Sequence, residues 1–409
     1  MQRLLSNRVF RLVMVSDFLQ HTAIWIRNMA LLFYVMERTG GDPVAVALLT
    51  VAEYVPIFVF SVIGGVLADR WNPKRTMIAG DLMSAASVGV ILWLLTKGWW
   101  EAVYVATFVS AVVSQFSQPS SARIFKRHVP DGDVSAAVGL SQSLISLFLI
   151  GGPVLGTWVY QNFGLFFSLE AILCLFLLSA GILTLLPHDR GREDRGETSL
   201  SYELAAGLRF IRSNKVLVRL MIAFAVIGAG VGLIQPLEVF IVTHRLGLPK
   251  ETVQWFHAAE GIGMLMGGAL GAVIAGRMEG RAMLSAGILF LSLSAVGEAL
   301  SGWPLLTWGF RFTGGFFLAF INISVGTFII RQIPEAMVGR VNGLVTPIFT
   351  GTLLVGSALS GWLMVWIGLI PVMLAAAAVI ALALFPSAGV RVGAHLEETS
   401  VASPQTRSE

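Results

Sequence analysis

Residues 64–75, GGVLADRWNPKR, join two long apolar runs through a short basic turn. The run before it, Pro43 to Ala68, is almost wholly apolar with Glu53 as its one charge; the run after it, Thr76 to Thr96, has only Asp81. At about 1.5 Å per residue, each makes a helix long enough to cross a hydrocarbon layer about 30 Å thick. The turn between them is therefore a loop at a membrane surface. Gly64 and Gly65 allow close helix approach, Asn72 tolerates a left-handed turn, and Pro73 suits the first turn of a helix. Arg70, Lys74 and Arg75 put this loop on the cytoplasmic side, because cytoplasmic loops carry the excess of Lys and Arg.

The whole chain fits that reading. Of its 409 residues 56% are hydrophobic and only 13% charged, against about 25% charged in soluble domains. The expected class is an all-α polytopic membrane protein. A net charge of +4 does not point to nucleic acid, because the basic residues are spread through short loops, as membrane topology requires. The one cysteine, Cys174, excludes a disulfide or a cysteine-based metal site within one chain. The N-terminus starts basic and turns apolar like a signal peptide, but its apolar run continues to Val35 and carries Asp17, His21 and Arg27, so it reads as the first helix.

Twelve spans are predicted, at 9–36, 44–68, 76–96, 100–121, 134–159, 165–187, 216–243, 252–275, 282–301, 304–330, 338–364 and 368–386. Twenty-two Lys and Arg fall in the termini and even-numbered turns or at the span ends beside them, against four in the odd-numbered turns, which puts both termini in the cytoplasm. The expected organisation is a six-helix half over 1–187, a cytoplasmic linker over 188–215, a second half over 216–386 and a disordered tail over 387–409. Within the linker, HDRGREDRGETS is too charged to pack, whereas SYELAAGLRFIRSN sets Leu204, Leu208 and Ile211 on one face of an amphipathic helix at the inner membrane surface.

The halves repeat. RHVPDGDVSAAVGL at 127–140 aligns with RQIPEAMVGRVNGL at 331–344 at an offset of 204, and the register continues through Gly152 with Gly356 and Trp158 with Trp362. The opening loop recurs, eroded, as GAVIAGRMEGR at 271–281. Such parallel repeats define a transporter plan in which two bundles rock about a central site.

Gly65, Asp69, Arg70 and Lys74 resemble the loop signature between the second and third helices of the major facilitator superfamily, with Asn72 where that pattern usually has Gly and Pro73 where it has Arg. The resemblance implies that Asp69, with Arg70, Lys74 and Arg75, belongs to an inner gate that switches between inward-facing and outward-facing states. Gly152 and Pro153, followed by Gly156, resemble the Gly-Pro motif of the family's exporters, although Thr157 stands where another glycine is usual. That likeness implies antiport; read without it, these residues form a Pro kink with small-residue packing. Over residues 1–390 the chain resembles the macrolide-efflux and enterobactin-exporter branch, on NRVFRLVMVSDFLQ, TVAEYVPIFVFSVIGGVLADR and the Ser- and Gln-rich fifth helix.

Ionisable groups within a membrane are candidates for coupling or for structural pairs. On the first helix Asp17, His21, Ile24, Trp25 and Asn28 recur at spacings of three and four and make one polar, aromatic face. Asp17 and His21, one turn apart, are placed to share a proton. Arg27 and Glu53 lie about nine residues from the outer ends of their helices, hence at similar depth, and make an ion pair that is either fixed or a switch. In the second half Glu238, His257, Glu260, Glu298 and Arg311 all fall in outer helix halves, where Arg311 most simply neutralises one carboxylate. Glu260 is the deepest of the three acids and the preferred cavity residue. Gln115, Gln142, Gln235 and Asn322 are further cavity candidates.

No Walker loop, metal-ligand cluster or nucleophile motif is present in the sequence. The expected function is transport, not catalysis: proton-coupled efflux of lipophilic or amphiphilic compounds such as drugs by a monomer in a bacterial-type cytoplasmic membrane, with no cofactor beyond the proton. Asp17, His21, Glu53 and Glu260 are the candidate proton carriers. Export of one dedicated metabolite such as a siderophore, or lipid translocation, are the alternatives.

Overall fold

The computed structural model describes residues 4, 6–187, 200–275 and 277–390; within its helices, the side chains of 62–70, 117–119, 122, 126–127, 131–132, 135, 200–204, 332, 335–336, 339 and 342 lie outside that description. Thus of the gating-loop residues Gly65, Asp69 and Arg70 fall outside the described side chains, as do the linker at 188–199 and the tail at 391–409.

The first half comprises α1 (Arg8–Thr39), α2 (Pro43–Arg70), α3 (Pro73–Thr96), α4 (Ala102–His128) and α5 (Asp131–Thr184). The last of these is two spans joined at Gly164, whose φ of 74° and ψ of −175° are not helical. After α6 (Leu200–Ser213), the second half opens with α7 (Lys215–Ile234), a 3₁₀ turn (Gln235–Leu237), the short α8 (Glu238–Phe240) and a π-helical turn (Ile241–Arg245). It continues with α9 (Val253–Ile274), α10 (Gly280–Leu300), α11 (Pro304–Gln332), α12 (Glu335–Ile367), α13 (Leu369–Leu382) and α14 (Leu384–Ser387). Among the described residues nine helices are long and apolar enough to span a membrane. One of these holds two spans, α4 adds the shorter apolar stretch Ala102–Phe116, and α1, which carries Asp17, Arg27 and Glu37, completes the twelve.

The repeat is visible in the backbone. Pro130 and Pro334 precede α5 and α12 with nearly identical angles, φ −54° and ψ 141° against φ −53° and ψ 141°. Gly368, with φ 87° and ψ 166°, breaks the last pair of spans at the same offset of 204 from Gly164. Only glycine occupies this region without strain. A Cβ on Gly152 would strike the indole of Trp25, and one on Gly356 would strike the Ala229 carbonyl. Trp25 and Ala229 are themselves 204 apart.

Two local expectations change. Asn72 is not left-handed: at φ −67° and ψ 116° it caps α3, its side-chain oxygen accepting from Arg75 N at 3.2 Å, because an N-cap needs extended backbone. Lys74 folds back to donate to the Thr184 carbonyl at 2.7 Å and to the Leu186 carbonyl, closing the end of the sixth span as cations do at helix C-termini. Arg75 is exposed. In α6 Gly207 and Ile211 are buried, with Gly207 against Arg340 and Leu344 of α12, while Leu208 is exposed.

Side-chain contacts between the halves, among the described residues, gather toward the end of the bundle opposite the termini. There Gly361 of α12 meets Pro43 and Val44, Gly351 meets Phe58, and Gly261 of α9 meets Leu149 and Ile150. Lys250 pairs with Glu37. These contacts roof the space between the halves.

Candidate functional site: a charged central cavity

A cavity of about 560 Å³ lies beneath that roof, between α1 and α2 of the first half and α7, α9, α10 and α11 of the second. Its size suits a small organic ligand. Leu31, Leu32, Leu49, Met264, Phe310 and Phe349 supply much of its apolar wall. Trp25, Asn28, Glu53, Gln235, His257, Glu260 and Arg311 line it too, as do Glu238 and Glu298.

Pro236 shapes the second-half wall. It has no N–H to continue the helix, so α7 ends and the chain passes through 3₁₀ and π-helical turns. This irregular stretch brings Gln235 and Glu238 into the cavity. Gln235 Nε2 donates to Tyr54 Oη of α2 at 3.1 Å, a hydrogen bond that crosses between the halves within the lining.

Close packing of α9 against α11 builds the charge cluster. A Cβ on Gly315 would meet the Glu260 backbone, and Gly263 and Gly267 lie equally close to Phe312 and Phe316. Small residues at these positions let the two backbones approach. Glu260 is thereby set beside Arg311, whose Nη2 donates to Glu260 Oε2 at 2.9 Å. The same Nη2 pairs with Glu238, and Nη1 lies 3.6 Å from Glu298 Oε2. His257 Nδ1 is 3.3 Å from Glu238 Oε2. Arg311 therefore joins three carboxylates on three other elements, where the sequence reading assigned it one. Its fork of donors makes this possible. Glu238, His257 and Glu260 hold ligand atoms within 4.8 Å of one another, close enough for a metal ion, but Arg311 Nη2 already pairs with both carboxylates.

In the first half, Arg27 is buried and its Nη2 lies 3.9 Å from Glu53 Oε1 and 2.8 Å from Asn28 Oδ1. The pair expected from equal depth is in place, with Glu53 facing the cavity and Arg27 behind it. Asp17 and His21 lie below the cavity and outside its lining. The His21 ring nitrogen meets the Asp17 main-chain carbonyl at 2.8 Å, while the Asp17 carboxyl accepts from Ser121 at 3.4 Å. The two side chains thus have separate partners and share no proton in this arrangement, because a residue four positions on meets the carbonyl of its own helix first. Gln115, Gln142 and Asn322 also lie outside the lining; Gln142 and Asn322 are exposed. Gly152 and Gly156 pack on α1, and a Cβ on Gly156 would meet the Trp25 carbonyl and Met29. Sequence reasoning missed Tyr54, whose phenol gave no signal without knowledge of the opposing Gln235.

Twelve spans in two repeated halves around a charged cavity define a multi-pass membrane transporter rather than an enzyme. The sequence profile of the Major Facilitator Superfamily matches residues 13–244 and 220–405, and the chain belongs to that family. The MFS-type transporter YkuC of Bacillus subtilis (strain 168) is 25% identical over 360 residues, covering 84% of this chain and 82% of its own. Enterobactin exporter EntS of Citrobacter koseri is 24% identical over 382 residues, 88% of this chain and 86% of its own. Macrolide efflux protein A of Streptococcus pyogenes is 27% identical over 206 residues, 48% of this chain and 49% of its own. Among solved structures, the nucleoside transporter NupG superposes with a TM-score of 0.74 at 15% identity, over 93% of this chain and 98% of its own. That likeness is one of fold.

Proposed function

We propose that this protein exports lipophilic or amphiphilic small molecules in exchange for protons, by alternating access. The observation that carries the reading is the composition of the cavity. Apolar and aromatic walls surround four carboxyl groups, Glu53, Glu238, Glu260 and Glu298, served by only two guanidiniums, Arg27 and Arg311. Within a membrane such an imbalance is relieved by protons or by a cationic ligand. A ligand cation competing with Arg311 for Glu260, and a proton discharging the same carboxyl, would be mutually exclusive occupants. That exclusion is what antiport requires.

The distribution of Lys and Arg supports a cytoplasmic location for both termini, in a bacterial-type cytoplasmic membrane. In that orientation the roof of contacts lies on the outer side. The described arrangement is then one closed to the outside. Asp69 with Arg70, Lys74 and Arg75 would form the opposing inner gate, and the chain works as a monomer.

The test is transport of a cationic dye in oriented proteoliposomes under an imposed pH gradient, comparing the natural sequence with Glu260→Gln and Glu53→Gln. Gradient-driven movement lost in either variant supports antiport through that carboxyl. No movement in the natural sequence counts against the reading. A second reading, export of one dedicated metabolite, draws support from the similarity to enterobactin exporter EntS along most of both chains. A single tight ligand and no protection against unrelated drugs would mark it.

A further inference from the structure

Asp81 on α3 belongs to no part of the cavity. It is 2% exposed, and its Oδ2 accepts from Ser179 Oγ at 2.5 Å and from Gln20 Nε2 at 3.2 Å. Ser179 Oγ lies 2.8 Å from Ser16 Oγ, and Gln20 Nε2 also reaches Ser16 Oγ at 3.2 Å and Ser179 Oγ at 3.4 Å. Three elements meet in this cluster: α1 through Ser16 and Gln20, α3 through Asp81, and the second arm of α5 through Ser179.

Among the described residues no cation pairs with Asp81. On α1 the nearest titratable group is another acid, Asp17, which is held by Ser121 of α4. At the loop end of α3, Lys74 is bound to the Thr184 and Leu186 carbonyls, and on α4 Arg123 donates to the Trp71 carbonyl while His128 meets the Ile124 carbonyl. Glu170 on α5 is exposed and lies more than two turns from Ser179 in the other direction. An ionised Asp81 would thus be, among the described residues, a buried carboxylate with no cation beside it, a costly state.

The hydroxyl pair accommodates both forms of the acid. With the carboxylate ionised, Ser16 donates to Ser179 and Ser179 to Asp81. With the carboxyl protonated, its O–H donates to Ser179 and Ser179 donates to Ser16. A serine hydroxyl is donor and acceptor at once, so the chain reverses without moving a heavy atom. The reversal ends on α1 at Ser16, two turns below Ile24 and Trp25 in the cavity wall.

We infer that Asp81 is a proton-binding site separate from the cavity, and that Ser179 and Ser16 relay its protonation to α1. The proton comes from the aqueous phase; an O–H bond forms at Asp81 and no other covalent bond changes. The site's part in transport rests on the proton-coupled reading, whereas its existence does not.

Infrared difference spectra of the purified full chain in lipid, acidic minus alkaline buffer, test it. Within the carbonyl region of protonated carboxyls, one component should appear in the natural protein, persist in Glu260→Gln, be missing in Asp81→Asn and shift in Ser179→Ala, which removes the hydrogen bond but keeps the acid. Difference spectra that coincide for the natural protein and Asp81→Asn would overturn the inference. Should Asp81→Asn fail to fold, a band unmoved in Ser179→Ala would overturn it equally. A band that follows Asp81 in a protein showing no gradient-driven transport would establish the proton site and refute the antiport reading alone.

Discussion

Gly152 of α5 lies directly beneath the indole of Trp25 on α1, with no room for a methyl group between them. The Gly-Pro motif therefore has a local physical use: it seats an aromatic side chain in the cavity wall. Gly152→Ala should displace Trp25 and cost about 1–3 kcal/mol through overpacking. Trp25→Ala should relieve that cost, so the double variant should be more stable than the sum of the two singles, by about 0.5–3 kcal/mol of coupling. Thermal unfolding of the four proteins in detergent measures it. Additive effects would disprove the contact.

Arg311 is the hub of the second-half cluster, buried and shared by three carboxylates. Removing one partner of a buried pair costs about 3–5 kcal/mol, because the other charge is left behind. Arg311→Gln should be destabilised on that scale, and adding Glu298→Gln should restore part of the loss. Arg311→Lys should not substitute fully, since one ammonium cannot span three carboxylates as a guanidinium does. Unfolding midpoints of the series check this; a neutral Arg311→Gln would count against a charged cluster.

Gly164 and Gly368 turn the chain between paired spans with positive φ at equivalent positions of the repeat. An alanine at either should cost about 1–3 kcal/mol from backbone strain. Neither site is crowded: nothing lies within 4 Å of a Cβ on Gly164, and only Pro371 Cδ, at 3.9 Å, approaches one on Gly368. The two losses should therefore be similar. Unequal losses would mean that the halves do not share this turn.

The spans were legible because each is a long, predominantly apolar run, and the break at Gly164 because Tyr160 to Gly164 interrupts one. The Arg27 and Glu53 pair was legible because depth can be counted along a helix. Rotation about the axis was not. Gln142 and Asn322 are exposed and lie outside the cavity lining, since a helix apolar on all sides gives no periodic signal of its inner face. Asp81 went unmarked for another reason. Its partners Gln20 and Ser179 are 61 and 98 residues away, and nothing local announces that three helices converge on it. The meeting of Tyr54 with Gln235 depends on register between halves, which neither repeat encodes alone.

Lys250 and Glu37 supply the described ion pair between the halves. Glu37 also accepts from Tyr160 Oη at 2.9 Å, and the Lys250 ammonium stands 5.8 Å from the Phe33 ring centroid. The pair is partly solvated, with Glu37 52% exposed, so its contribution is about 0.2–1 kcal/mol. That is enough to change the ratio of two conformations a few-fold when their free energies are close. Lys250→Gln should therefore raise the labelling rate of Leu49→Cys in the cavity by a membrane-impermeant thiol reagent, in a background where Cys174 is serine. Exchanging the charges, Glu37→Lys with Lys250→Glu, should return the rate toward the starting value, because the attraction is restored while both side chains have changed. High salt should imitate Lys250→Gln, since partly exposed pairs are screened. Labelling that responds to neither the single variant nor salt would show that the roof is held by the packing of Gly361 and Gly261 alone.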